Sequence, residues 1–181
     1  MAGTAQVIGG SILGLLNPPD EALALFDRVD QASLRQDLAA FFGPDGEAYL
    51  DTYEKMRAST RRNHAVLAWS WPVFFLFFAW FFYRKQYALG VVLLVVPLAL
   101  AVVLGSGSSA LAIVAATVAK PNYVGSALTR IAKADALGLS GAERFDYLQR
   151  AGGVSDVAGI LSGSVYALML ALAFAQVASG P

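Results

Sequence analysis

Among the stretches that carry no charged residue are Tyr87–Leu104, of 18 residues, and Val157–Ala178, of 22. Each is long enough for a hydrocarbon layer about 30 Å thick, and a backbone placed there must satisfy its own hydrogen bonds. Helix is the expected form of both. A third apolar helix is expected over 108–127, with a bend at Pro121; Pro97 should kink the first run. The apolar share of the chain, 57%, exceeds the roughly 45–50% of soluble domains, and most of the excess follows residue 64. These features predict an all-α integral membrane protein with three transmembrane helices, at 87–104, 108–127 and 157–178.

The block WSWPVFFLFFAWFFYRK, residues 69 to 85, is harder to place. A helix from Trp71 to Tyr83 would be about 20 Å long, short of the hydrocarbon thickness. Charge decides its topology, because basic residues flanking spans favour the cytoplasm. If the block crosses, six bases lie inside and seven outside. If 64–84 instead forms a re-entrant or interfacial segment, all thirteen bases are cytoplasmic. The second pattern is expected, with the N-terminus cytoplasmic and the C-terminus outside. Trp69, Trp71, Trp80, Tyr83 and Tyr87 then suit the headgroup level, where Arg84 and Lys85 would hold anionic lipid heads. Cytoplasmic helices are expected over 128–152, with Gly138 as a stop and a capping box at Ser140–Glu143.

Ahead of the membrane domain (61–181) lies an acidic helical region (1–60). Residues 1–54 hold nine acids and two bases, and 55–133 hold nine bases and no acid. A helix is expected from Pro18 to Gly43, broken near Asp30, and a second over Asp45–Ser59. The acidic region is read as a solvated preface or as a segment that docks on the basic rim or on a partner. The apolar start, residues 1–16, is too short to span comfortably and is expected at an interface; a secretory signal peptide needs a basic n-region, and with Arg28 as the first basic residue none is expected.

FFGPDGEAYLDTY, the aromatic block ending WFFYRKQY, and RIAKADALGLSGAERFDYLQRAGG together resemble the bacterial family catalogued as domain of unknown function 2628. The resemblance covers about residues 41–155 and implies a small inner-membrane protein; it carries over no catalytic residue. Trp71, Trp80, Tyr83, Arg84, Lys85 and Tyr87 match. The family often has Gly-Pro in mid-block where this chain has Phe77 and Phe78, so the break in the aromatic segment is expected to move to Pro72.

Chemistry is scarce. The absence of cysteine excludes thiol catalysis and disulfides. His64 is the only histidine and reads as an interfacial residue. No acid or base lies inside the two charge-free runs, against an ion pump. No cofactor, metal or nucleic-acid signature is present, and no catalytic residue is assigned. Small residues recur every four positions at Gly159, Gly163, Ala167, Ala171 and Ala175, and at Ser108, Ala112 and Ala116. Such ridges let membrane helices approach closely, within this chain or against another subunit. The expected role is a non-catalytic accessory, stabilising or assembly subunit of a bacterial inner-membrane complex. Its partners would be lipids and other membrane subunits, with a homo-oligomer as one form. The alternatives are a small oligomeric carrier or channel for a neutral solute, or a protein that modulates the bilayer.

Overall fold

In the computed structural model, residues 18–44, 46–59, 66–104 and 109–179 are described. The apolar start, His64 and Ser108 lie outside them. All regular elements among the described residues are helical. Helix α1 (Asp20–Leu23) runs into a 3-10 turn (Ala24–Asp27), and α2 follows (Gln31–Phe42). The break expected near Asp30 is there: the Asp30 side chain accepts the Ser33 N–H at 3.0 Å and caps α2. Gly43, at φ +76, ends α2. Helix α3 is Glu47–Arg57.

The aromatic block is two short helices, α4 (Trp71–Leu76) and α5 (Phe78–Tyr83). The break lies at Phe77, not at Pro72, which is accommodated in the first turn of α4. Phe77 has φ +46 and ψ −122, a conformation that favours glycine. Each helix has six residues and is about 9 Å long.

Helix α6 (Tyr87–Leu104) coincides with the first charge-free run, and α7 (Ser109–Ala136) is one helix of 28 residues containing Pro121. Then come α8 (Gly141–Ala151) and α9 (Asp156–Ser179). Ser140 sits at the N-cap of α8 with extended backbone, but its side chain makes no capping bond, so the expected capping box does not form.

Helix α7 organises the core. Ala116, Ala119, Tyr123, Val124, Ala127, Leu128 and Ile131 form its buried stripe, and α1, α2, α3, α4 and α8 pack on it. The acidic helices are therefore not set apart from the remainder; one hydrophobic cluster runs from Ala22 to Leu148. Arg144 of α8 joins three elements, donating to Asp37 of α2 at 2.7 Å and to Asp135 of α7 at 2.6 Å. Hydrogen bonding to Asp37 pushes the Arg144 pKa further up, with burial opposing.

The residues before α4 are extended along α7. The Ala68 N–H donates to the Thr117 carbonyl at 3.0 Å, and the Ser70 N–H to the Ala116 carbonyl at 2.9 Å. Thr117 lies four residues before Pro121, which has no N–H to offer it. The extended segment supplies the donor that the proline withholds.

One helical stretch, Gly141–Ser179, contains a window long and apolar enough to cross a membrane, and Tyr87–Ala101 is apolar but shorter. The expected three spans thus reduce to one by length and composition among the described residues. The described part of the expected third-span region, 109–127, is instead the start of the core helix α7, where Lys120, Pro121 and Asn122 interrupt the apolar run.

Candidate functional site

The turn from α5 to α6 is built from local rules. The Lys85 N–H donates to the Phe82 carbonyl at 3.1 Å and the Gln86 N–H to the Phe81 carbonyl at 2.8 Å. This pair of bonds is the Schellman arrangement, which needs a left-handed residue after the C-cap. Lys85 takes that place at φ +58. The turn sends Arg84 inward and starts α6 immediately afterwards, with the Gly90 N–H bonded to the Gln86 carbonyl at 3.0 Å.

Arg84 is only 7% exposed. Its guanidinium carbon lies 4.8 Å from the Tyr49 ring centroid, 5.5 Å from that of Tyr123 and 5.7 Å from that of Tyr83. Rings in this arrangement attract a cation through their negative faces. One terminal nitrogen donates to the Phe42 carbonyl at 3.3 Å, while Nε has no hydrogen-bond partner. A buried charge is costly unless paired, yet Arg84 enters no ion pair among the described residues.

Arg84 lines a cleft of about 590 Å³ between the α5–α6 turn and α7, whose rim includes Pro18 and Pro19. Lys85, Arg130 and Lys133 add three more cations, and no carboxylate is among the described lining residues. Gln86 donates through Nε2 to the Ser126 hydroxyl at 3.1 Å, but its Oε1 is buried without a partner, as is the Asn122 Nδ2. The first residues of α6 also line the cleft, and the first N–H groups of a helix lack partners within it. The arrangement can bind an anion. It holds no paired acid and base, and no cluster able to hold a metal ion occurs among the described residues.

The residues expected at the headgroup level divide. Trp71 and Tyr87 are exposed, and Trp69, Tyr83 and Lys85 are half-buried. Trp80 and Arg84 are corrected: both lie in the core, Trp80 against Phe81 and Tyr123 at ring distances of 5.0 and 6.0 Å. Trp80 enclosed this way does not present its indole N–H to a lipid surface, and Arg84 reaches the outside only through the cleft that it lines. Lys85 donates from Nζ to the Arg150 carbonyl at 3.2 Å.

The small-residue ridge of α9 divides as well. Gly159 faces α5 so closely that an added Cβ would lie 2.8 Å from the Tyr83 ring. Gly163 has open space beside it, and Ala167, Ala171 and Ala175 are exposed. The buried contact is instead Ser162, whose hydroxyl donates to the Ala158 carbonyl at 2.6 Å. On α7, Ala116 is buried and Ala112 half-buried. Sequence reasoning missed Tyr49, Tyr123, Gln86, Asn122, Arg130 and Lys133 as parts of one site. The available signal was the i, i+3 spacing of Arg130 and Lys133, which places both on one side of a helix.

No family model, no curated protein and no solved structure matches the chain.

Proposed function

We propose that this chain is a non-catalytic accessory, stabilising or assembly subunit of a larger complex in the bacterial inner membrane. In this reading α9 crosses the bilayer, the shorter apolar helix α6 enters it, and the pair α4–α5 meets it from the cytoplasmic face. The basic residues then share one side, as positive-inside asymmetry favours. The observation that carries the reading is the distal half of α9. Leu168, Leu172, Phe174 and Val177 are 58–81% exposed, and nothing else in the described chain covers them. A contiguous apolar surface of this kind is removed from water by lipid or by another protein. The small side chains of Ala167, Ala171 and Ala175 favour a close-packed helix over lipid tails alone.

The test is a photo-crosslinking residue at Ala171, introduced at native expression level, followed by purification in mild detergent. An adduct with another membrane protein, recovered in an assembly larger than the monomer, is the expected result. Lipid adducts alone, on a protein that runs as a free monomer, count against a subunit role. Extraction of the chain from membranes by alkaline carbonate counts against the bilayer placement itself.

A further inference from the structure

The basic cleft beside Arg84 is a site that a scaffolding role does not require. We infer that it binds a phosphate ester, and that the natural occupant is the phosphodiester of an anionic lipid. The charge balance is the first argument. Four cations, Arg84, Lys85, Arg130 and Lys133, line one cleft with no carboxylate among the described residues around it. The basic groups elsewhere that do pair, such as Arg144 with Asp37, show that carboxylates are used where neutralisation is internal.

Burial is the second argument, and it is independent. Arg84 is more than nine-tenths enclosed, with Nε unpartnered. Tyrosine faces and one carbonyl stabilise the cation but do not neutralise it. An oxyanion in the cleft supplies the missing charge. Asn122 Nδ2 is a second buried donor without a partner, and the start of α6 presents N–H groups and the positive end of its dipole. Arginine, an amide and a helix N-terminus together suit the several oxygens of a phosphate better than the two of a carboxylate.

Position selects the lipid. The cleft opens beside Tyr87 at the start of α6, whose next turns expose Val91, Val95 and Val96. A headgroup in the cleft thus has an apolar helix surface for its acyl chains. The lipid source rests on the membrane reading above; the phosphate chemistry does not.

The experiment uses the full chain in an uncharged detergent. Thermal unfolding is followed by tryptophan fluorescence with added phosphatidylglycerol, phosphatidylcholine or inorganic phosphate. A saturable rise in Tm of about 5 °C or more with phosphatidylglycerol is expected, weakened by salt, with little effect of phosphatidylcholine. Arg84→Gln tests the central residue but disturbs the core. The double variant Arg130→Gln/Lys133→Gln changes two exposed, unpaired side chains and should leave the unliganded Tm unchanged. It should weaken the apparent affinity roughly tenfold or more. Equal protection by inorganic phosphate supports the phosphate site and assigns it to a soluble ester. Protection by phosphatidylcholine as strong as by phosphatidylglycerol overturns the proposal. So does the absence of protection by both anions, or protection undiminished in the double variant. Failure of the membrane reading shows separately, as carbonate extraction.

Discussion

Phe77 holds a sparsely populated backbone conformation that costs an L-residue about 1–3 kcal/mol, at φ +46 between two six-residue helices. Its half-buried ring packs against the core cluster, and that packing offsets the strain. The two effects separate by substitution. Phe77→Ala loses the ring and keeps the strain, whereas Phe77→Gly loses both. Glycine should therefore be the more stable variant by about 1 kcal/mol, the reverse of the usual order within helices. Equal or reversed unfolding free energies would mean that the turn is unstrained. Tyr53 gives a second test at this scale. Burial raises its pKa above the ordinary 10.0, with Arg57 lowering it and Glu54 raising it. The folded state thus favours the neutral phenol, which donates to Gln31 Oε1 at 2.7 Å. A raised folded pKa gives stability that is whole below the unfolded value and is lost as pH rises through the folded one. The Tm should fall above about pH 10, and Tyr53→Phe should make that fall shallower. An identical pH profile in the variant would remove Tyr53 from the alkaline transition.

Pro121 inside α7 is the element-scale counterpart. A helix-interior proline costs about 3 kcal/mol where nothing compensates. Here Ala68 and Ser70 donate to the carbonyls of Thr117 and Ala116, so Pro121→Ala should gain far less. It creates a competing donor inside the helix, and the amides of Ala68 and Ser70 should exchange hydrogen faster. Unchanged exchange there, with a gain near the full proline cost, would mean that the extended segment compensates nothing. Helix limits were legible where the signals are local. The charge-free run from Tyr87, the break near Asp30 and the Gly43 stop each depend on neighbours within a few positions. The break at Phe77 was not legible, because no residue there announces a turn; packing imposes it. The interior place of Arg84 was equally hidden. Phe42, Tyr49 and Tyr123, which surround it, lie 35 or more positions away in sequence. Charge counting treated Arg84, Arg130 and Lys133 as markers of sidedness, which they can be while also sharing a cleft.

At the scale of the molecule, the acidic helices, α7 and α8 meet where Gly152 lies against the end of α2. An added Cβ at Gly152 would overlap the Phe41 carbonyl oxygen, and the Gly153 N–H donates to that same oxygen at 2.7 Å. Backbone faces backbone there, so the clash has no flexible side chain to absorb it. Gly152→Ala should destabilise by about 2–3 kcal/mol and loosen the α2–α8 contact, read as a lowered denaturation midpoint. Wild-type stability would mean that the two segments do not touch. The Pro121 seat has a further consequence for the whole. An imino acid withholds one donor from the helix, and the extended segment before α4 can bond in only one register without leaving its own amides unpaired. How far along the central helix the tryptophans and phenylalanines sit is thereby dictated by a single ring in the backbone. Moving that ring by one turn would carry the aromatic hairpin about 5.4 Å with it, like a shelf rehung on the next peg.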